Sequence, residues 1–241
     1  MLTAVLSDIH GNWEALKSVF KDIEKTKPDK IFCLGDLVGY GPEPERVVNE
    51  IRTRDIPTVM GNHELALFDD DILEGFNKQA KKSIEIIRKL ISYDTLKYLQ
   101  KLPSYIVKDD MRFVHGAPPA SINDYLNRLN GYDMLILSKK YDEKIAFVGH
   151  THRIRVIEIS DTIKEIQYKN RKKRLNKDFR YILNTGSVGQ PRDYDNRAKY
   201  VLFDDYDYSF KVRRVKYDIK KTADMILELG LPESNAARLW G

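Results

Sequence analysis

The chain has little material for covalent cross-links or for membrane anchorage. Cys33 is the only cysteine among 241 residues, so an intrachain disulfide is excluded. It lies in the apolar run at 31–34, which favours a small buried side chain over a reactive thiol. No apolar run approaches the length of about 20 residues that a transmembrane helix needs. The N-terminus also lacks the charged stretch and cleavage site of a secretory signal, so we expect residence in the cytoplasm.

The composition excludes a disordered chain. Apolar residues make up 42% and charged residues 32% of the sequence, a globular balance that predicts one domain over residues 1–241. The net charge of +5 is compatible with an anionic substrate. The basic run at 169–174 lies between two strand-like segments and is interpreted as a solvated turn. Because no broad basic face with interleaved aromatic residues accompanies it, nucleic acid is disfavoured as a partner.

Histidine is scarce, and its placement is the most informative feature of the sequence. All five histidines lie in short motifs with Gly, Asp or Asn, and each motif follows a short apolar run. The motifs are Asp8-Ile9-His10, Gly61-Asn62-His63-Glu64, His115-Gly116-Ala117 and Gly149-His150-Thr151-His152, and Gly35-Asp36 lies between the first two. Loops that follow strands collect ligand-binding groups in α/β proteins. Imidazole and carboxylate are common ligands of transition metals. The pattern therefore predicts a two-metal site and a metal-dependent hydrolase.

The first sixty residues predict a βαβαβ unit. Strands are expected at 2–7, 30–34 and around 57–60, and helices at 12–25 and 43–54. This order implies parallel strands with right-handed crossovers. Asp8, Asp36 and Asn62 would then lie at the carboxyl ends of three neighbouring strands.

The rest of the chain predicts a long helical insertion followed by a second sheet. Residues 65–102 are expected to be mainly helical, as is the region near 121–141. Strands are predicted at 104–107, 111–114 and 144–148, and alternating segments suggest antiparallel strands at 153–159, 162–168, 181–184, 200–205 and 209–216. A helix at about 219–229 would end at Gly230. His150 and His152, two residues apart in extended chain, would leave the same face and could address adjacent ions.

The order of these motifs resembles the calcineurin-like metallophosphoesterase superfamily over residues 8–152. The segment Gly-Asp-Leu-Val-Gly-Tyr-Gly-Pro at 35–42 and the tail Asn-Thr-Gly-Ser-Val-Gly-Gln-Pro-Arg at 184–192 are similar to its small prokaryotic predicted-phosphodiesterase branch, although many relatives carry proline in place of Thr185. The resemblance implies an α/β fold in which two mixed β-sheets pack face to face with flanking helices, a four-layer αββα sandwich.

The resemblance also implies a division of ligands between two ions. One ion would be held by Asp8, His10 and His152, and Asp36 would bridge it to the second ion by giving one oxygen to each. The other ligands of the second ion would be Asn62, His115 and His150. Nitrogen and oxygen ligands without thiolate suit Mn, Fe, Zn, Ni or Co, and so many imidazoles disfavour an all-oxygen magnesium or calcium site.

The resemblance makes His63 the catalytic residue, which protonates the leaving oxygen or stabilises the pentacoordinate phosphorus. Glu64 either orients His63 or is an exposed acid in a first helical turn. Tyr40 and Gly41, with Gly39 and Pro42, form either a phosphate-binding segment or a tight turn.

Arg192 is the third predicted substrate contact. It could bind a non-bridging phosphate oxygen. The alternative is a surface ion pair with Asp193 or Asp195.

The function implied is hydrolysis of a phosphorylated small molecule or nucleotide, a phosphodiester or phosphomonoester, by in-line attack of a metal-bridging hydroxide. The alternatives within the fold are a dinucleoside-tetraphosphate hydrolase and a protein phosphatase. A binding or scaffold protein is disfavoured, because such relatives usually lack the histidine that His63 supplies. Oligomeric state leaves no recognisable pattern in this sequence.

Overall fold

The computed structural model describes residues 1–168 and 171–241. The strands β1 to β11 are Leu2–Leu6, Lys30–Cys33, Tyr105–Lys108, Met111–Val114, Ile145–Val148, Ile154–Ile159, Ile163–Glu165, Lys173–Arg174, Arg180–Thr185, Ala198–Asp204 and Ser209–Val215. The helices α1 to α9 are Trp13–Thr26, Pro44–Thr53, Asn62–Leu65, Asp70–Glu74, Lys78–Ile87, Tyr93–Leu99, Gly131–Ser138, Ile219–Glu228 and Glu233–Ala237. Short 3₁₀ helices cover Leu126–Arg128 and Arg238–Trp240.

The strands form two mixed sheets. One has the order β2-β1-β10-β11-β8 and the other the order β3-β4-β5-β9-β6-β7. Within the first sheet β1 and β2 are parallel, and within the second β4, β5 and β9 are parallel. The remaining pairs are antiparallel.

Alternation along the strands explains the layers. Ala4 and Leu6 of β1 pack into a core shared with α1, α2 and the helical insertion, whereas Val5 between them packs into the core between the sheets. On β5, Phe147 belongs to the same inter-sheet core, whereas Val148 packs on the other side with residues of α7. Because successive side chains of a strand leave opposite faces, one strand serves two layers. The α/β sandwich of two mixed sheets with flanking helices is confirmed.

The third strand of the predicted βαβαβ unit is wrong. The chain near 57–60 makes only an isolated parallel bridge, between Thr58 and Cys33. Cys33 donates to the carbonyl of Pro57 and accepts from the amide of Val59. Pro57 has no amide hydrogen with which to extend the pairing, and the amide of Met60 turns away to Pro103. The bridge still delivers the next residues to the same edge as β1 and β2.

The predicted helical insertion is present, broken into short helices. The side chains of Asp69, Asn77 and Ser92 accept hydrogen bonds from amides at the starts of α4, α5 and α6. Such capping residues begin helices, so several of them in one stretch divide it. Within α5, Ile84 and Ile87 are fully buried.

The second half is less uniformly antiparallel than expected. The strand β9, predicted as antiparallel, pairs parallel with β5 and antiparallel with β6. All four residues of β5 are buried, which is typical of an interior strand in a parallel arrangement. Within the basic run, Lys169 and Asn170 lie outside the described residues, while Lys173 and Arg174 form the edge strand β8 rather than a turn.

The C-terminal helix is confirmed as α8, and Gly230 follows it with a φ of +68°. The sequence reasoning missed α9 and the final 3₁₀ helix, because the segment is short and begins at Pro232. No helix among the described residues is long and apolar enough to cross a bilayer.

Candidate metal centre

The seven predicted ligands converge where strands of the two sheets end. Asp8 and Asp36 follow β1 and β2 of the first sheet, whereas His115 follows β4 of the second. The remaining four are His10, two residues beyond Asp8, Asn62 at the start of α3, and His150 and His152 after β5. All seven side chains are buried, with at most 6% of any residue exposed.

The acidic and histidine side chains form two groups that share Asp36. Asp8, His10, Asp36 and His152 make one group, and Asp36, His115 and His150 make the other; within each group, the candidate ligand atoms lie within 4.8 Å of one another. The Oδ2 atom of Asp36 lies 3.6 Å from Nε2 of His10 and 3.3 Å from Nε2 of His115. Asn62 joins the second group, since its Oδ1 is 3.1 Å from the same His115 nitrogen.

Backbone carbonyls determine which ring nitrogens face the centre. Nδ1 of His10, His115 and His152 lies 2.6–2.8 Å from the carbonyls of Val38, Leu34 and Gln190, respectively. A carbonyl only accepts, so each Nδ1 carries a hydrogen. The neutral rings of His10 and His152 therefore present an Nε2 lone pair, and His115 does so once it loses its second proton. His150 has the reverse arrangement, because its Nε2 lies 3.2 Å from the carbonyl of Asn123 and leaves Nδ1 free.

One nitrogen pair shows that this donor set fits a cation. Nε2 of His10 and Nε2 of His152 are 3.2 Å apart. With the hydrogen of each neutral ring on Nδ1, the two Nε2 atoms oppose each other as lone pairs and cannot hydrogen-bond. Asp8 Oδ1 lies 3.3 Å from the His152 nitrogen. Three electron-pair donors around one buried point suit a metal ion.

The backbone at this centre is strained. Asp8, His10, Asp36, His150 and His152 all have positive φ, between +51° and +65°. This left-handed conformation costs a non-glycine residue on the order of 1–3 kcal/mol and persists where the surrounding structure enforces it. The occurrence of this strained conformation in five of the seven predicted ligands indicates a functional site.

The buried charges depend strongly on one another. Burial raises the pKa of the Asp8 carboxyl to about 7. Burial also acts to raise the pKa of the Asp36 carboxyl. The neighbouring imidazoles, chiefly that of His115, nevertheless hold this pKa well below its usual range. Although burial lowers the pKa of His115, the Asp36 carboxylate raises it to about 9. Burial lowers the pKa of His10 to about 4 and that of His150 to about 3. His10 and His150 are therefore neutral at pH 7, as metal ligands must be.

Glu64 braces the Asp36 loop instead of contacting the His63 ring. The residue is fully buried, so the expectation of an exposed first-turn acid is wrong. Its carboxylate accepts from the amides of Asp36 at 2.7 Å, Gly61 at 2.9 Å and Val38 at 3.1 Å. The bond from the Gly61 amide, at the start of α3, corresponds to one half of a capping box. Glu64 thus fixes both the loop that carries Asp36 and the helix that carries Asn62 and His63.

We predict that Glu64→Ala destabilises the protein by about 3 kcal/mol, because buried amides lose their acceptor. Denaturant unfolding of the metal-free protein measures this directly. Glu64→Gln, which keeps one acceptor oxygen, should lose less. A Glu64→Ala variant as stable as the wild type would contradict the bracing role.

His63 lies beside the two groups without belonging to either. Its amide donates to Asp36 Oδ1 at 3.0 Å. Its buried ring lies 4.7 Å from the rings of His10 and Tyr40 and 4.9 Å from that of Phe76, between centroids. A Cβ on Gly39 would be only 2.6 Å from Nδ1 of His63, so this nitrogen faces the glycine backbone. Among the described residues it has no hydrogen-bond partner.

A cavity of about 470 Å³ opens onto the centre, and two of the three predicted substrate contacts line it. Tyr40 and Arg192 are both lining residues, and the Arg192 guanidinium lies 5.5 Å from the Tyr40 ring centroid. The alternative ion pairs of Arg192 do not occur, because Asp193 pairs with Lys199 and Asp195 pairs with Arg197.

Gly41 is the one of the three predicted substrate contacts that does not line this cavity. A Cβ at Gly41 would lie 2.2 Å from the carbonyl oxygen of His10. The glycine therefore allows two backbones to pack closely behind the centre. This is the tight-turn alternative rather than an open approach for phosphate.

The loop between β9 and β10 supports the centre in a way the sequence reasoning missed. Its Gln190 carbonyl accepts from His152, and the Ser187 hydroxyl donates to the Asp8 carbonyl at 2.8 Å. Just before α1, the Asn12 side chain donates to the Gly189 carbonyl at 2.8 Å. The tail motif at 184–192 marked this loop, but backbone acceptors leave no pattern in residue types.

Comparison with known proteins shows the family. The family model described as calcineurin-like phosphoesterase matches residues 1–154. The chain belongs to the calcineurin-like phosphoesterase family. The resemblance noted in the sequence is thereby confirmed.

Relatives extend the likeness over the whole chain. The uncharacterized protein MJ0912 of Methanocaldococcus jannaschii is 36% identical, over 99% of this chain and 97% of its own. A metallophosphoesterase from Sphaerobacter thermophilus is 32% identical with a TM-score of 0.82, and covers 99% of this chain and 98% of its own. The hypothetical protein PH1004 from Pyrococcus horikoshii OT3 shares the fold, at a TM-score of 0.81 and 20% identity over 100% and 98% of the two chains.

Proposed function

We propose that this calcineurin-like phosphoesterase hydrolyses phosphate esters with two divalent transition-metal ions. Asp8, His10 and His152 would hold one ion, and Asn62, His115 and His150 the other. Asp36 would join them. The observation that carries the proposal is the pair of donor groups sharing Asp36, with opposed nitrogen lone pairs in the first group.

The contacts of Asp36 support its place in both sets of ligands. Oδ1 accepts the His63 amide, whereas Oδ2 faces both groups. Asp36 would therefore hold both ions through its carboxylate, which the His63 amide orients. When bound, the ions would lower the pKa of a water nucleophile and neutralise charge on the phosphoryl oxygens.

The chain's own residues would bind the ester and move a proton. Arg192 is half-buried at the cavity and can donate to a phosphoryl oxygen in a charge-assisted bond. His63 would donate a proton to the departing oxygen from within hydrogen-bond reach, as a general acid does. Because burial lowers the pKa of His63 well below its usual value, the ring would have to gain that proton when the substrate is bound. We assign this role to Nε2, because Nδ1 faces Gly39.

The substrate class proposed is a small phosphodiester or phosphomonoester, including nucleotides. A cavity of about 470 Å³ lies within the range of small-molecule sites, roughly 300–1,000 Å³. Part of its wall comes from the insertion, through Asp71, Phe76 and Asn77 among others. Such an enclosing wall favours a small ester over a phosphoprotein.

A substrate screen with metal-reconstituted protein tests the proposal. Protein stripped by chelator and reloaded with Mn²⁺ should hydrolyse members of a panel of mononucleotides, phosphodiesters and dinucleoside tetraphosphates. The stripped protein is the matched control and should be inactive. Absence of turnover throughout the panel with every candidate metal would overturn the proposal.

A further inference from the structure

The environment of His63 restricts what can leave the phosphorus. Any oxygen that receives the His63 proton must lie beside that ring. The neighbours there are Tyr40, buried, and Phe76, half-buried in the loop between α4 and α5. Both line the cavity, whereas Phe68 and Tyr93, two other aromatic residues of the insertion, do not. A flat ring entering beside Phe76 would gain stacking or edge contacts.

The charge of the cavity wall that the insertion forms also restricts the leaving group. The insertion residues that line the cavity are Asp71, Ile72, Gly75, Phe76, Asn77 and Ala80. Asp71 is the ionisable one, and it is acidic. The lining arginines come from elsewhere: Arg192 from the β9–β10 loop and Arg128 from the 3₁₀ helix beside Tyr125. An anionic group that extended from His63 along the insertion would meet a like charge.

We infer that the insertion selects the leaving group, and that it accepts uncharged, flat alcohols such as a phenol or a nucleoside. The inference rests on the proposed function and on His63 as the acid. A water oxygen forms the new P–O bond while the bond to the alcohol breaks. The alcohol oxygen keeps the bonding electrons and takes the His63 proton, and a proton from water restores His63. Phe76 is then a specificity-determining residue, and a nucleotide leaving group is disfavoured.

Phe76→Ala tests the aromatic contact. Methyl phenyl phosphate and methyl trifluoroethyl phosphate differ in the flatness of the departing group, and phosphorus NMR measures the hydrolysis of each. The ratio of their kcat/KM values should fall about fivefold in Phe76→Ala relative to the wild type. Tyr93→Ala, an exposed aromatic of the same insertion, should leave the ratio unchanged. An unchanged ratio in Phe76→Ala would overturn the inference.

Asp71→Asn tests the charge. Methyl 4-nitrophenyl phosphate and methyl 3-carboxy-4-nitrophenyl phosphate differ by one negative charge on the leaving group. The preference of the wild type for the uncharged ester should shrink about threefold in Asp71→Asn, as expected for a solvent-exposed charge. Glu74→Gln, on the same helix but outside the cavity, is the matched control. A preference unaltered by Asp71→Asn would contradict the charge argument.

A binding measurement separates this inference from the proposed function. Calorimetry should show phenylphosphonate binding more tightly than methylphosphonate, with the difference reduced about fivefold in Phe76→Ala. If the wild type turned over no ester but kept this binding difference, the proposed function would fail while the aromatic contact stood. If turnover were normal but Phe76→Ala changed neither the ratio of kcat/KM values nor the difference in phosphonate binding, the inference alone would fail.

Discussion

Asp36→Asn is expected to abolish hydrolysis, lowering kcat/KM by roughly 10³-fold or more. Metal ions contribute several kcal/mol of transition-state stabilisation, and this carboxylate is the one side chain that both groups share. Asparagine keeps an oxygen for the His63 amide, so the fold should survive. It removes the charge that faces both groups. Kinetics on a confirmed substrate, with metal content measured on the same sample, checks the prediction.

The matched control is Asp22→Asn, which removes a carboxylate paired with Arg213 away from the centre. This variant should retain wild-type activity and metal content. An Asp36→Asn protein that bound metal normally and stayed active would contradict the shared-ligand role.

His63→Ala is expected to lower kcat by roughly 10²–10⁴-fold, the usual contribution of a general acid, while metal content stays unchanged. The side chain belongs to neither donor group, and alanine retains the amide that holds Asp36. The loss should be larger for an alkyl alcohol than for 4-nitrophenol, because a good leaving group needs less protonation. Steady-state kinetics with both esters measures this difference.

Two outcomes would count against that role. Loss of metal equal to that of Asp36→Asn would make His63 a ligand. A loss of kcat that was the same for both esters would exclude proton donation to the departing oxygen. Tyr93→Ala, in the exposed part of the insertion, controls for general effects of removing a ring.

Local patterns predicted the centre well because its side chains follow strands. Asp8 and Asp36 could be placed together from hydrophobic alternation alone, since carboxyl ends of parallel strands share one edge of a sheet. The wrong third strand did not disturb this, because a single bridge at Thr58 suffices to bring Asn62 to the same edge. The prediction of the site therefore does not depend on assigning every strand correctly.

Contacts between distant segments could not be read from residue types. Glu64 has the pattern of a first-turn acid, and only the folded chain shows that amides from another loop surround it. The support of His152 by the Gln190 carbonyl likewise depends on how the β9–β10 loop returns to the centre. Gly41 was ambiguous for the same reason, because backbone proximity decides between a turn and a phosphate contact.

Titration of metal into chelator-stripped protein, followed by calorimetry and by activity on the same samples, tests the central claim most directly. The account predicts binding of two ions per chain, with hydrolysis appearing only as the second site fills and with both events lost in Asp36→Asn. Hydrolysis that was complete with one ion, or that persisted without any, would contradict a centre built on two donor groups sharing Asp36.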